Sequence, residues 1–112
     1  MALYSKMLGQ LRPADTAAAT LYTRSQDTVV FLDQLYICNT TGSGVTYRFF
    51  IVDDGACYDE TSALWYDTAL AANATATYDL NAFMLVDDGT VGVRSGTGNA
   101  INFTLFGEEV FG

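Results

Sequence analysis

The segment Val45–Val52, VTYRFFIV, alternates along its length: Val45, Tyr47, Phe49 and Ile51 are apolar, whereas Thr46 and Arg48 are polar. Successive side chains of a β-strand point to opposite faces, so this pattern lays one face of a strand against a core and leaves the other wet. The pattern recurs. Ile101, Phe103 and Leu105 alternate with Asn102 and Thr104, and Tyr78 and Leu80 alternate with Thr77 and Asp79. In 29–39, Leu35 and Ile37 are expected to face inward together with Phe31, which puts Asp33 in conflict with the register and marks a bulge. No stretch holds a helical apolar period for three turns. The best helix candidate, 14–21, is diluted by Thr16 and Thr20 and reads as a loop or one turn leading into a strand.

Strands are expected at about 3–11, 19–24, 29–39, 45–52, 63–67, 74–80, 83–86, 90–94 and 100–108. Turn chemistry punctuates them. The Gly-rich loop from Asn39 to Gly44 reads as a hairpin connection, Asp88-Gly89 as a tight hairpin turn, and Ser95 to Asn99 as another loop of that kind. An echo, VDDG at 52–55 and at 86–89, reads as two similar strand-ending turns. Half-buried short strands at this spacing belong to antiparallel sheets. The expected fold is all-β: a single antiparallel β-sandwich of about eight or nine short strands, jelly-roll or immunoglobulin-like, since alternation does not encode connectivity. One domain is expected to span 1–112, with residues 1–12 as an edge strand or arm.

Composition narrows the function. Half the 112 residues are hydrophobic and only 16% are charged, against about 25% in an average soluble domain. The seven Phe, seven Tyr and one Trp argue against disorder. They also suggest that part of the surface is covered by a partner. The net charge of −8 disfavours nucleic acid and anionic membranes, and the basic residues Lys6, Arg12, Arg24, Arg48 and Arg94 are scattered along the chain. The N-terminal MALYSKMLGQLRPADT has no apolar core or cleavage site of a signal peptide, so synthesis in the cytoplasm is expected. In that compartment Cys38 and Cys57 are expected to be free thiols, and the N-x-T sequons at Asn39, Asn73 and Asn102 to be accidents of strand composition.

The chain has no histidine, which removes Ser-His-Asp and Cys-His nucleophilic schemes and most zinc sites. Neither Gly42-Ser-Gly44 nor Gly96-Thr-Gly98 has the following helix and lysine of a phosphate-binding loop. No catalytic residue, cofactor or enzyme activity is expected. Asp53, Asp54, Asp59 and Glu60 lie within one loop and offer the oxygen ligands that calcium takes. Their spacing is not that of an EF-hand, and a solvated acidic loop is the expected reading. Of Trp65 and Tyr66, adjacent in a strand, one must point inward. An outward member would serve a sugar ring or a protein contact. By alternation Tyr36, Phe50 and Phe106 point outward. With Trp65 they are the interface candidates, because several such groups left bare would make a monomer sticky.

Several segments together resemble small all-β virion structural proteins of tailed bacteriophages: LGQLRPAD at 8–15 with LYT at 21–23, LYICNTTG at 35–42, YRFFI at 47–51 with the Asp-Asp-Gly that follows, YDETSALW at 58–65, ANATAT at 72–77 and FTLFGE at 103–108. The likeness covers nearly the whole chain. One departure is the alanines before Asn73, where a proline is expected; this affects loop shape only. The resemblance implies a capsid decoration (cement) protein, or else a tail, neck or baseplate component. It implies the major capsid protein or other virion proteins as partners, and a homo-oligomer, a trimer, in the virion. A carbohydrate-binding module using Trp65 or Tyr66 is the reading from a different class.

Overall fold

The computed structural model describes residues 2–25, 27–52, 58–81, 83–85 and 89–111, with the backbone path alone for 2–5 and 111. The chain forms nine strands: β1 Ala2–Leu11, β2 Ala19–Thr23, β3 Thr28–Asn39, β4 Val45–Val52, β5 Ala63–Leu70, β6 Thr75–Asp79, β7 Met84–Leu85, β8 Thr90–Ser95 and β9 Ile101–Phe111. All nine lie where the alternation places them. The two VDDG turns fall largely outside the described residues, at 53–57 and 86–88.

The strands pair antiparallel in two sheets. The first runs β1-β9-β3-β6, with β7 also on β3, and the second runs β2-β8-β4-β5. β6 and β7 form one broken edge beside β3. Between them the Leu80 N–H donates to the Asp33 carbonyl (2.8 Å) and the Leu32 N–H to the Phe83 carbonyl (3.1 Å). The pairing is nested: β1 with β9, β2 with β8, β3 with β6 and β7, β4 with β5. A doubled ribbon of this kind, rolled so that alternate segments fall in opposite sheets, is the jelly-roll arrangement. The strand order thus chooses between the two sandwich types that alternation leaves open.

That order corrects the loop reading. The loops 40–44 and 96–100 each leave a strand of one sheet and enter a strand of the other, so they are corners of the sandwich and not hairpins; Asp88 of the third expected turn lies outside the described residues, and the strands before and after it, β7 and β8, belong to different sheets. Gly, Asn and Asp permit a sharp reversal whichever sheet receives the next strand. Asn39 makes the first corner rigid. It is 1% exposed. Its side-chain amide donates to the carbonyls of Ser43 (2.8 Å) and Ala71 (3.0 Å), and its side-chain oxygen accepts from the Thr41 N–H (2.9 Å). One side chain therefore ties the β3–β4 corner to the β5–β6 corner. Among the described residues Asp27, Asp67, Asn73 and Asn99 hold positive φ, the left-handed region that Asp and Asn tolerate best.

The core lies between the sheets. Val30, Leu32, Leu35, Ile37, Phe103 and Leu105 from the first meet Tyr47, Phe49, Val91 and Val93 from the second. Each such side chain contributes roughly 1.5–3 kcal/mol through burial. A β-bulge falls at Asp33, where the β3–β9 register shifts between Leu32 and Gln34. The bulge inverts the phase of the strand ahead of it. Val30 and Leu32 point inward, and Phe31, expected in the core, points outward and is 41% exposed.

At one end of the core Glu109 is buried and accepts a hydrogen bond from the Tyr22 hydroxyl (2.5 Å) and an ion pair from Lys6 (2.9 Å). The bond from Tyr22, then that from Lys6, holds its carboxyl below the ordinary glutamate value against the opposing effect of burial. Burial first, then the bond to Glu109, raises the Tyr22 hydroxyl. A carboxyl depressed in the folded state stabilises above its unfolded value, about pH 4.3, and that contribution is lost as pH falls through the folded value. Glu109→Gln should therefore flatten the loss of melting temperature between neutral and acidic pH in calorimetry. Asn39→Ala strands several buried carbonyls and should cost about 2–4 kcal/mol in urea unfolding.

Candidate protein interface

The two outer faces of the sandwich differ in one respect: among the described residues the chain caps Phe50 on one, leaving Tyr66 exposed there, and provides no such cap for the apolar groups of the other. On the second sheet, Phe50 points outward from β4 opposite Gly92 of β8. Tyr58, from the segment between β4 and β5, lies over both. Its ring centroid is 5.5 Å from that of Phe50, and a Cβ at position 92 would stand 2.5 Å from the ring. Its hydroxyl hydrogen-bonds Thr20 (2.9 Å). Phe50 is consequently 1% exposed. This corrects the expectation of an exposed anchor at Phe50: the alternation is right, but the chain's own loop caps the residue.

Beyond Tyr58 the second sheet's outer face is polar. Arg48 and Arg94 are cross-strand partners. Asp67 takes a two-pronged bond from Arg48 (2.7 and 3.0 Å) and a longer contact from Arg94 (3.7 Å). The Arg48 guanidinium stacks 3.8 Å from the centre of the Tyr66 ring. The bonds from Arg48 hold the Asp67 carboxyl below the usual carboxylate range. Two of the five scattered basic residues thus meet through pairing of strands far apart in the chain. Trp65 faces the other way. It packs against Phe49 (5.2 Å) and Tyr78 (4.1 Å), and the Tyr78 and Tyr47 hydroxyls share a short hydrogen bond. The exposed aromatic of the pair is Tyr66, so Trp65 serves the interior and is not a surface platform.

The first sheet's outer face has no such cover among the described residues. Strand register puts Met7 beside Phe106, Phe106 beside Gln34, and Glu108 beside Phe31, which pairs in turn with Met84. Met7, Phe31, Met84 and Phe106 are 48%, 41%, 51% and 36% exposed. Tyr36 joins them, its ring edge-on to Phe106 at 5.7 Å and its hydroxyl donating to Gln34 (2.7 Å). Cross-strand neighbours lie close enough to interact, so Met7, Phe106 and Tyr36 form one apolar group and Phe31 with Met84 another, and with Glu108 and Gln34 between them the two make a broken oblique stripe from β1 to β7. A hollow of about 300 Å³, lined by Lys6, Met7, Asp33, Phe106 and Gly107, opens on it. Of the four interface candidates, Tyr36 and Phe106 lie in the stripe, whereas Phe50 and Trp65 do not. Met7, Phe31 and Met84 lie in it without being among those candidates, Phe31 because of the bulge; Met84 lies in a two-residue strand too short to show a period.

A wider cleft of about 600 Å³ at the end of the second sheet is lined by Gly44, Val45, Thr46, Ala69, Leu70, Ala71 and Thr97, with no titratable side chain. Among the described residues no group of three or more metal-ligating side chains comes together. Asp53 and Asp54 lie outside the described residues. Of the other calcium candidates, Glu60 is exposed, and Asp59 spends one oxygen on the Thr61 N–H (2.9 Å) and hydroxyl (2.5 Å), bonds that lower its carboxyl. Cys38 is a half-buried free thiol in β3, while Cys57 lies outside the described residues. No described helix is long and apolar enough to cross a membrane.

The jelly-roll sandwich is the class that fold and surface define, and solved structures share it. No protein-family model and no curated protein matches the chain. The chain is similar to a subunit of Bacillus endospore appendages, described as a family of disulfide-linked pili, at 14% identity and a TM-score of 0.58, over 97% of this chain and 88% of that one. It is also similar to a chain of infectious bursal disease virus, Gx strain, at 14% identity and a TM-score of 0.56, over 99% of this chain and 33% of the other. A chain of the T13 particle of that virus matches at 12% identity and a TM-score of 0.59, over 99% and 31%. This chain spans about a third of the length of the viral chains it matches. At these identities the likeness is one of fold.

Tyr58→Ala should uncover Phe50 and lower stability by about 1–3 kcal/mol. The check is urea denaturation together with increased binding of a hydrophobic dye. Gly92→Ala should act in the same direction by displacing the Tyr58 ring.

Proposed function

We propose that this chain is a structural protein of a virus particle and, within that class, a capsid decoration protein of a tailed bacteriophage. It would bind across capsomers as homotrimers and stabilise the shell. The observation that carries the reading is the exposed apolar stripe on one outer face of the jelly roll, which no described residue caps as Tyr58 caps Phe50 on the other. A soluble domain seldom leaves such a stripe without a partner. Small contacts of this kind become strong through many symmetric copies. The fold likeness to chains of a viral particle and the resemblance to phage virion proteins point the same way.

A second reading is a subunit of a pilus-like filament. The endospore appendage subunit favours it, because the match covers 88% of that chain and not a third. A tail, neck or baseplate protein is a third placement within the virion. A sugar-binding module has less support, since Trp65 is packed inside and Arg48 already lies over Tyr66.

Copy number separates these readings. Quantitative gels of purified particles should show the chain in hundreds of copies if it decorates the head. A few copies to a few dozen would assign it to the tail, neck or baseplate instead. Absence from particles, with filaments of the purified chain visible by electron microscopy, would favour the pilus-like reading.

A further inference from the structure

Resting on the reading as a particle subunit, we infer that the outer face of the first sheet docks onto a different chain, one whose contact surface is apolar at its centre and bears lysine or arginine around it. The hollow beside Asp33 receives one of those basic side chains. Three observations carry this.

The first is the stripe itself, which crosses four strands and has no cover from the described chain. The second is the charge beside it. Lys6 is the one basic residue in the strands of the first sheet, and it is committed to Glu109 at 2.9 Å. The same strands carry Asp33, Asp79 and Glu108, for which no described cation is within ion-pair distance. Asp33 and Glu108 are half-buried, so a cation brought to them acts through less water than at an open surface. The third is the shape of the hollow. Met7 and Phe106 give it an apolar lining, Asp33 an acidic residue, and Lys6, which also lines it, has its charge already met by Glu109. A long basic side chain suits that combination, its methylene stem against the apolar groups and its charged head at the acid.

A second copy is a poor occupant. The chain carries a net charge of −8, and two such faces placed together would bring two sets of Asp33, Asp79 and Glu108 into one interface with only Lys6 of each copy as a basic residue from the strands. Like charges brought together across an interface disfavour association. Contacts between copies in a trimer are therefore left to other surfaces, among them the long free edge of β1.

The test uses virus particles made without the chain as the probe. Recombinant chain is added, and copies retained per particle are counted on quantitative gels. Wild-type binding should fall about tenfold as sodium chloride rises from about 50 mM to about 500 mM. Asp33→Lys should lose about tenfold or more at the lower salt, with Asp33→Asn between the two. Melting temperatures near that of the wild type show that the variants fold, since the Asp33 side chain forms none of the bonds described above. Full binding that ignores both salt and Asp33→Lys would overturn the inference and leave the particle reading standing. Failure of the wild-type chain to bind particles at all would overturn the particle reading, and this inference with it. Self-association of the pure chain in sedimentation, abolished by Phe106→Ser, would make a second copy the occupant and also overturn it.

Discussion

Along the ladder between β3 and β9 the backbone groups must pair, and β3 carries one residue more than the ladder can use. The surplus is taken up at Asp33. Because side chains alternate with a period of two, this single residue decides which half of β3 faces the core on each side of it. Val30 and Leu32 go inward; Phe31 goes out to meet Met84 and stand near Phe106. The core on one side of the sheet and the apolar stripe on the other are two results of one local irregularity. The bulge also places Asp33 beside that stripe, in the lining of the hollow.

The corners of the sandwich obey a different constraint. Each crossing from sheet to sheet exposes carbonyls and amides that the ladders no longer satisfy, and buried ones are costly. Asn39 answers for two corners at once, and Arg12 and Arg94 tie further loops by donating to the carbonyls of Asn99 and Thr16 (both 2.6 Å). The arginines of this acidic chain thus have structural work to do. Among buried side chains of the described residues, no polar atom is left without a partner.

Much of this was legible from the residues alone. Val45, Tyr47 and Phe49, or Ile101, Phe103 and Leu105, announce strand and buried face together, because a two-residue period has no other common cause. What was not legible depends on contacts across the sequence. The glycines and asparagines of 39–44 signal a reversal but not which sheet receives the chain. Phe50 has the alternation of an exposed residue; only folding brings Tyr58 over it, and only the missing side chain at Gly92 makes room. Arg48 and Arg94 are unremarkable until β4 and β8 align them. As for the candidate interface, Tyr36 and Phe106 could be named from their phase, whereas Phe31 could not, since its phase hinges on the bulge.

The antiparallel pairing of β1 with β9 has a geometric corollary. It sets Ala2 directly across from Phe111, so the two extremities of the fold emerge from the same corner of the sandwich, about one interstrand spacing apart. Polypeptide attached at either extremity, or bridging both, departs from that corner and leaves the loops at the opposite pole unencumbered. A rolled ribbon of this kind is anchored like a tag on a doubled thread, free to present its broad sides while its attachments stay gathered at one point.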